Sequence, residues 1–358
     1  MRILLVGPRN DGDSIPPYLD VLQHGLAAAG ATVARLGSAG PPYDEQLGRF
    51  WTSEQIIAAA STLADADLRG FDVVSLHFGN LEIEQLLPLL WRDRERPPIV
   101  YHVHSLAPTL FRKHVPDPGL SAAVADSMHR MDGYVYFGQY AARTLPTPGP
   151  YGVAFLPTTI PAGTPVPAVE EEGRLLASLY GYPAPWKDAA GLIAALAQLR
   201  QPVRFHLAGP FWDDPSQAGA ALQPGASRHG RAHLTVAPTY MDAVARAALV
   251  AASSVGVFPY QPVATFQGSG AVADYLAHGV PVIATDVANM AELAGPAGVI
   301  VPPGDPAALA AALDRFAGDP DHRAALTSAA ADRARLFTGD AHAAACLGVY
   351  EQLLHRRT

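Results

Sequence analysis

Short apolar, β-branched segments alternate with Ala- and Leu-rich helical segments along almost the whole chain of 358 residues. That alternation is typical of βαβ units, in which crossover helices join parallel strands. It occurs in two successive sets of similar size, and a stretch rich in Pro and Thr, residues 157–173, separates them. The sequence therefore predicts two doubly wound α/β domains connected by a linker.

The predicted strands are segments rich in Val, Ile and Leu that end at turn residues. In the first set they are Arg2–Val6, Thr32–Leu36, Asp72–His77, Ile99–Val103, Gly133–Phe137 and Val153–Leu156; in the second they are Arg174–Leu179, Val203–Ala208, His233–Val236, Val255–Phe258, Val280–Ala284 and Gly298–Val301. The tail from Asp340 to His355 has the pattern of one more helix. We expect an N-terminal domain over residues 1–160, a second domain over 161–338 and a terminal helix within 339–358.

Composition and charge exclude several classes of protein. A hydrophobic fraction of 49% suits globular domains, and no apolar run reaches the length of a membrane span. The net charge of −8 argues against nucleic acid and anionic membrane as the main partners. Cys346 is the only cysteine, so neither an internal disulfide nor a cysteine-based zinc site is expected. The N-terminus has the pattern of a first strand and not of a signal peptide, so we expect a cytoplasmic protein without integral membrane contact.

The segment from Gln267 to Glu292 has the pattern of a ligand-binding turn. Gly268, Ser269 and Gly270 precede a helical run, and Ser269 can cap that helix. The unpaired N–H groups of a first helical turn, together with the helix dipole, suit a phosphate. Asp274 lies more than one turn further along, where a carboxylate can accept hydrogen bonds from ribose hydroxyls. These features predict a nucleotide site, although an ordinary βαβ turn punctuated by glycine has the same pattern.

The tail of this segment, LAHGVPVIATDV, resembles the donor-binding signature of retaining GT-B glycosyltransferases of family 4. In that family two Glu residues at fixed spacing precede the glycine; the second corresponds to Asp274 and the first to Phe266. Other segments resemble the family in the same order, among them GLAAAGATVARL, PIVYHVHSLAP, MDGYVYFGQYAARTL and GVIVPPGDPAALAAAL. The resemblance implies a GT-B fold, with two Rossmann-like domains facing an interdomain cleft and a C-terminal helix that crosses back to the first domain.

The resemblance also implies roles for residues in three other places. Lys187 follows the loop after the first strand of the second domain, where an ammonium can reach the donor diphosphate and stabilise charge on the departing nucleotide. An Arg usually shares that task, but here Tyr182 follows Gly181 instead. His104 corresponds to the family's sugar-contacting histidine. Gly12 lies in the loop after the first strand, where the family places a glycine-rich loop between acceptor and donor phosphates.

Each of these residues also has an ordinary structural interpretation. A lysine at a helix start can be a solvated side chain, although it opposes the helix dipole. His77 and His102 also stand at strand ends; we expect His102 to be a satisfied core residue, and a histidine metal pair would lack a carboxylate partner. The loop after the first strand has no G-x-G-x-x-G pattern, which argues against a nicotinamide or flavin enzyme. We expect no metal and no cofactor other than the nucleotide sugar as co-substrate.

The sequence thus predicts a retaining, metal-independent glycosyltransferase that moves a sugar from a nucleotide sugar to a hydroxyl of a small soluble acceptor, as in secondary metabolism. His104 and Lys187 are the predicted catalytic residues. The predicted donor and nucleotide contacts are Gly12, Lys187, Phe266, Gln267, Gly268, Ser269, Gly270 and Asp274.

The departures at Phe266 and Tyr182 leave a second interpretation open. A GT-B-shaped regulatory subunit or pseudoenzyme could bind a nucleotide without transferring sugar. The Gln267 amide argues for transfer, because it could replace part of the lost Glu contact. A sugar-nucleotide epimerase would need paired carboxylates near the anomeric carbon, and the sequence shows none.

Overall fold

The computed structural model of the chain describes residues 1–9, 15–38, 52–77, 83–106, 118–161, 163–164, 175–181, 185–209, 224–264 and 266–356. The chain divides into two compact units. The N-terminal unit contains Met1–Pro157, Ala264–Gln267 and Gly339–Thr358, and the C-terminal unit contains Thr158–Val263 and Gly268–Thr338. No helix in the described ranges is long and apolar enough to cross a membrane.

The N-terminal unit is built on a six-stranded parallel sheet in the order β2-β1-β3-β4-β5-β6. Its strands are β1 (Arg2–Val6), β2 (Thr32–Leu36), β3 (Val73–His77), β4 (Ile99–Val103), β5 (Gly133–Tyr136) and β6 (Tyr151–Val153). The helices of this part of the chain are α1 (Ile15–Ala28), α2 (Ser53–Ala64), α3 (Leu87–Leu90), α4 (Pro118–Met128) and α5 (Gln139–Thr144). Strands β3, β4 and β5 are buried along their whole length, as expected for parallel strands covered on both faces.

The C-terminal unit is built on a seven-stranded sheet in the order β13-β12-β11-β7-β8-β10-β9. Its strands are β7 (Leu175–Tyr180), β8 (Val203–Ala208), β9 (Gly225–His229), β10 (Ala232–Ala237), β11 (Val255–Phe258), β12 (Val282–Thr285) and β13 (Gly298–Val301). Its helices are α6 (Ala189–Ala197), α7 (Ala243–Ala252), α8 (Gly270–Ala277), α9 (Met290–Ala294), α10 (Pro306–Gly318) and α11 (Pro320–Ala334). All strand pairs are parallel except β9 with β10.

The last helix, α12 (Gly339–His355), packs with the N-terminal unit although it follows the C-terminal unit in sequence. Its apolar side chains join the core formed by α1 and the sheet, where Ala343, Val349 and Leu353 are buried. At Gly25 of α1 a Cβ atom would lie 2.9 Å from that of Ala343, so only glycine permits this close approach of the two helices.

The strand orders locate one switch point in each sheet. In the N-terminal unit the order reverses between β1 and β3, and in the C-terminal unit it reverses between β7 and β11. Open α/β sheets bind their ligands outside the carboxyl ends of the strands at such points. The prediction of two doubly wound α/β domains is therefore confirmed, and the fold itself indicates where to look for sites.

Candidate functional site

The first candidate site lies at the switch point of the C-terminal unit. Lys187 ends a short 3₁₀ turn, Pro185–Lys187, just before α6, and Asp188 caps that helix by accepting a hydrogen bond of 2.9 Å from the Gly191 amide. The other Asp188 oxygen accepts from Gln261 Nε2 at 2.7 Å, so the loop is tied to the chain that leaves β11. These bonds fix the backbone that carries Lys187.

The ammonium of Lys187 is half-buried and has no counter-ion among the described residues. It lies 5.8 Å from the centroid of the Tyr260 ring, which is a favourable cation–π position. Within the part of the chain that the structure describes, Lys187 forms no ion pair. Burial lowers the pKa of the ammonium from 10.5 to about 8. A cation held in this way is suited to receive an anion.

Gly181 explains how the ammonium reaches this place. Its φ is +102°, a region that favours glycine, and a Cβ there would lie 2.8 Å from Lys187 Nζ. Any side chain at this position would displace the ammonium. The glycine after β7 therefore belongs to the same site as Lys187.

The second element of the site is the N-terminus of α8. Ser269 caps the helix by accepting a hydrogen bond of 3.3 Å from the Val272 amide, and its hydroxyl lies 3.4 Å from that of Tyr260. Tyr260 thus joins Lys187 to the start of α8. At Gly270 a Cβ would have nothing within 4 Å, so the space before the first turn is open on the side of that residue. A Cβ at Gly268, in contrast, would lie 2.2 Å from the Asn289 side chain.

The third element is the carboxylate of Asp274, which is nearly buried and already held on one side. Its Oδ2 pairs with Arg246 Nε at 3.0 Å and accepts a hydrogen bond from the Tyr180 hydroxyl. The Arg246 guanidinium also lies over the Tyr180 ring, 5.9 Å from its centroid. Burial and the neighbouring carboxylate raise the pKa of Tyr180, so it remains a hydrogen-bond donor. The carboxylate is oriented through one oxygen, and Oδ1 can accept bonds from a ligand.

Lys187, Ser269 and Asp274 of this candidate site were predicted from the sequence, whereas Tyr180, Arg246 and Tyr260 were not. Tyr180 is the last residue of β7 and Tyr260 lies two residues after β11, so both stand at strand ends of the switch point, and the strand order would have indicated them. Arg246 lies inside an Ala-rich helix, and its partner Asp274 is 28 positions further along the chain. No local pattern signals such a pair.

The N-terminal unit has its own cluster at the carboxyl ends of β3 and β4. The His104 ring lies between Tyr18 and Phe137, with centroid distances of 4.9 Å and 4.7 Å. Its Nε2 lies 3.5 Å from Nδ1 of His77, which is fully buried. Burial lowers the pKa of His104 to about 3, so the ring is neutral near pH 7. A neutral imidazole with one proton can donate one hydrogen bond and accept one.

Phe266 and Gln267 also belong to the N-terminal unit. The Gln267 amide donates a hydrogen bond to the carbonyl of Val103, the residue before His104. The donor capacity of that amide is therefore partly used inside the protein, which weakens the expectation that it replaces a missing carboxylate. Phe266, the residue before Gln267, is half-buried. The remaining two residues, Gly12 and Tyr182, lie outside the described residues.

Three side chains of this cluster also form a group that could hold a metal ion. Nitrogen or sulfur atoms of His102, His342 and Cys346 all lie within 4.8 Å of one another. The four ring nitrogens of the two histidines already have hydrogen-bond partners, namely Tyr18, Tyr350, Ser75 and the Phe155 carbonyl. Burial also raises the pKa of the Cys346 thiol, so the thiolate that a metal prefers is disfavoured. The group is satisfied as a hydrogen-bonded core.

Comparison with known proteins agrees with this arrangement. Residues 175–319 match the family described as glycosyl transferases group 1. That match covers the strands, the Lys187 loop and α8, all of which build the site in the C-terminal unit. The chain therefore carries a glycosyltransferase domain. No curated protein matches its sequence.

Solved structures resemble the chain over nearly its whole length. Sucrose-phosphate synthase from Thermosynechococcus elongatus has a TM-score of 0.71 at 18% identity, covering 99% of this chain and 100% of that one. Anabaena HepE in complex with UDP-glucose has a TM-score of 0.65 at 15% identity, covering 100% and 99%. AviGT4, a glycosyltransferase involved in avilamycin A biosynthesis, has a TM-score of 0.61 at 18% identity, covering 99% and 98%. These likenesses establish the two-domain GT-B fold, and the domain match gives its class as glycosyltransferase.

Proposed function

We propose that the protein is a retaining glycosyltransferase of the family 4 type. It moves a sugar from a nucleoside diphosphate sugar to a hydroxyl group of a small soluble acceptor, without a metal ion. Under this proposal the C-terminal unit holds the nucleotide diphosphate, and His104 of the N-terminal unit contacts the sugar.

One observation carries the proposal: a half-buried cation with no counter-ion in the described part of the chain shares its site with a capped helix N-terminus and an oriented carboxylate. Lys187 and the first turn of α8 both favour the negative charge of a diphosphate. Oδ1 of Asp274 suits ribose hydroxyls, because Arg246 and Tyr180 hold the other oxygen. A diphosphate next to a ribose is the common part of nucleotide-sugar donors.

The proposed reaction needs no strong general base from the protein. The bond between the anomeric carbon and the diphosphate oxygen breaks, and the acceptor oxygen forms a new bond to the same face of that carbon. The proton of the acceptor hydroxyl passes to the leaving phosphate oxygen. Lys187 stabilises the negative charge that grows on that phosphate, and this stabilisation increases along the reaction.

The related structures guide the choice of substrates. HepE was solved with UDP-glucose, so UDP and UDP-glucose are the first donors to test. AviGT4 takes part in the biosynthesis of avilamycin A, which supports an acceptor from secondary metabolism. For this chain both remain proposals.

A second function is favoured by Phe266. An apolar ring stands where the resembling family has a carboxylate, and the Gln267 amide is bonded to Val103. A protein that lost its contact to the donor sugar could keep the nucleotide site intact. We therefore propose nucleotide binding without sugar transfer as the competing function.

Three measurements test the proposal, and the second separates the two functions. Thermal shift with UDP, GDP, dTDP and ADP identifies the nucleotide, and both functions predict a shift. Release of free nucleotide from the matching donor sugar is expected only for a transferase. With an acceptor, proton NMR of the product is expected to show the anomeric configuration of the donor; an inverted configuration would refute the retaining mechanism.

Lys187→Ala tests the role of the ammonium in that reaction. We expect the single-turnover rate constant to fall on the order of a hundredfold, with a smaller loss of nucleotide affinity. Lys187→Arg is expected to rescue only part of the rate, because a planar guanidinium does not occupy the position of a point charge. Weaker nucleotide binding with a normal rate at saturation would restrict Lys187 to binding.

A further inference from the structure

Polar side chains in the core of the N-terminal unit form a continuous series of hydrogen-bond contacts that ends at His104. We name it the histidine relay; its members, in spatial order, are His342, Tyr18, His102, Ser75, His77 and His104. Apart from His104, which is half-buried, all of them are buried. Helices α1 and α12 and strands β3 and β4 contribute these members, and β4 leads directly to His104. The relay therefore joins elements distant in sequence to one residue of the candidate site.

The four histidines of the relay are neutral near pH 7. Burial lowers the pKa of His342 to about 4 and that of His104 to about 3, and it places the pKa values of His77 and His102 well below the usual range. Each ring therefore carries one proton, and each has one donor nitrogen and one acceptor nitrogen. Hydrogen-bond partners then decide which nitrogen carries the proton.

The Phe155 carbonyl sets the direction of the relay at its far end. His342 Nδ1 lies 2.8 Å from that oxygen, which can only accept, so Nδ1 is protonated and Nε2 is an acceptor. The Tyr18 hydroxyl, 2.8 Å from Nε2, must donate its proton there. The Tyr18 oxygen then accepts from His102 Nδ1 at 3.0 Å. In the neutral ring, His102 Nε2 is left as an acceptor.

The protons available around Ser75 determine which nitrogen of His77 is protonated. Four contacts of 2.8–3.0 Å connect Ser75 Oγ, the Tyr350 hydroxyl, His102 Nε2 and His77 Nε2. The two hydroxyls supply one proton each, and His102 Nε2 supplies none. Two protons allow only two of the four contacts to be hydrogen bonds. A third contact becomes a hydrogen bond only if His77 Nε2 is protonated and donates to Ser75 Oγ. That arrangement satisfies most of these buried groups and is therefore favoured.

We propose that the histidine relay holds His104 in the tautomer with the proton on Nε2, so that Nδ1 is a hydrogen-bond acceptor for a substrate hydroxyl. With its proton on Nε2, neutral His77 has a bare Nδ1, and His104 Nε2, 3.5 Å away, is its donor. Only the substrate part of this inference rests on the proposed function. Tyr18, Ser75, His77, His102 and His342 are then positioning residues.

The tautomer is measurable without substrate. Long-range ¹⁵N–¹H correlation spectra of the ¹⁵N-histidine-labelled protein distinguish a protonated ring nitrogen from a bare one, and His104→Gln assigns the resonances. We expect a protonated Nε2 and a bare Nδ1 for His104. The opposite assignment, or fast exchange between the two tautomers, overturns the proposal.

A variant that breaks the relay far from His104 tests its long-range action. Tyr18→Phe removes both the donor to His342 and the acceptor for His102 Nδ1. Only the contacts of His102 Nε2 with Ser75 and Tyr350 then remain, and hydroxyl groups can serve either tautomer because they both donate and accept. We expect His104 to show a mixed or reversed tautomer in this variant. The matched control is Tyr134→Phe, since that hydroxyl bonds only to the Met128 carbonyl and the Met131 amide in the described contacts and lies outside the relay. Unaltered His104 signals in a folded Tyr18→Phe protein would show that the histidine relay does not set the tautomer of His104. If that variant fails to fold, the wild-type spectrum still decides which tautomer is present.

Donor analogues test the acceptor role on the substrate side. Deoxy and deoxyfluoro donors are compared in wild type and in His104→Ala, so that the inductive effect of fluorine cancels. Neither hydrogen nor fluorine can donate a hydrogen bond. If His104 accepts a bond from one hydroxyl of the donor sugar, replacing that hydroxyl should lower kcat/KM about tenfold more in wild type than in His104→Ala. Retention of the rate with fluorine alone would show that His104 donates. If no donor is turned over at all, the proposed function fails, while the spectra still decide the tautomer.

Discussion

The Lys187 ammonium is held where water hydrates it poorly and no carboxylate in the described ranges compensates it. Burial lowers its pKa to about 8, and the ring of Tyr260 provides a favourable cation–π contact. A bound diphosphate would reverse this balance, since an adjacent anion favours the charged form of a lysine. Nucleotide binding and protonation of Lys187 are therefore expected to be linked.

The first prediction is that nucleotide binding takes up a proton above about pH 8. In the free protein Lys187 is mostly neutral there, and in the complex the anion raises its pKa. Affinity should then fall as the pH rises above that value, with a slope approaching one proton. Calorimetry in buffers with different ionisation enthalpies measures this uptake.

The control for that prediction is Lys187→Met, which keeps the length and apolar part of the side chain. Its nucleotide binding should be weaker but should show no proton uptake in the same pH range. If wild type and variant take up equal numbers of protons, another group is responsible, and Lys187 does not contact the anion.

The second prediction concerns the pair formed by Arg246 and Asp274. Asp274→Ala should weaken nucleotide binding by about 1.5–3 kcal/mol, the usual contribution of hydrogen bonds to a charged group. Arg246→Met should weaken it by about 1 kcal/mol, because the carboxylate loses the ion pair that orients it. Calorimetry on the single and double variants gives the coupling.

The two effects should not add, since Arg246 acts through Asp274. Arg204→Met is the matched control, because this exposed arginine of β8 forms no ion pair in the described part of the unit. Additive losses would instead show that Arg246 binds the nucleotide directly.

Among whole elements, the strands were the most predictable from sequence. Parallel strands covered on both faces are short apolar runs that end at turn residues, so six of them, such as Arg2–Val6 and Ile99–Val103, have the predicted bounds. β9 was missed because it is a polar, mostly exposed edge strand, so neither an apolar run nor an apolar alternation marks it in the sequence. β6 is also displaced, being Tyr151–Val153 where Val153–Leu156 was predicted.

The candidate site was less predictable, because it depends on which strand ends meet. The helix cap at Ser269 and the carboxylate of Asp274 are local features and were found from the sequence. The histidine relay joins residues as far apart as Tyr18 and His342, and no periodicity reports such a contact. The role expected for the Gln267 amide changed for the same reason, since its hydrogen bond to Val103 spans 164 positions.

The third prediction uses the N-terminus of α8. Gly270→Ala should lower nucleotide affinity about tenfold, because the methyl group enters the open space where a phosphate would approach the amides. The free protein should be unchanged or more stable by up to about 1 kcal/mol, because alanine reduces the entropy of the unfolded chain. Thermal unfolding and nucleotide titration of the same sample report both effects.

Gly348→Ala in α12 serves as its control, because a Cβ there also meets nothing within 4 Å. It should share the change in stability and leave nucleotide affinity intact. If Gly270→Ala binds nucleotide as wild type does, the phosphate does not lie at this helix N-terminus.

In the molecule as a whole, the chain passes between the two units more than once. The segment around Phe266 is the shortest excursion: Ala264–Gln267 belong to the N-terminal unit, and Gly268 returns to the C-terminal unit. The residues that resemble a donor signature are therefore divided between units. Phe266 and Gln267 share a unit with His104, whereas Ser269 and Asp274 share one with Lys187. If Phe266 contacts the donor sugar, as the proposed function requires, a change at Phe266 should alter sugar choice and leave the nucleotide site unaltered.

The fourth prediction follows from that division. Phe266→Glu should shift donor preference toward fully hydroxylated sugars, because a carboxylate binds sugar hydroxyls that a phenyl ring cannot. Wild type should lose little with deoxy donors, and nucleotide affinity should be the same in both proteins. Competition between hydroxylated and deoxy donors, expressed as a ratio of kcat/KM values, measures the preference.

The control is Val263→Glu, which adds the same charge at an exposed position of the C-terminal unit and should keep the wild-type ratio. An identical ranking in Phe266→Glu and wild type would mean that Phe266 does not face the sugar, whereas transfer gained only in the variant would identify the natural chain as a nucleotide-binding protein without transfer activity.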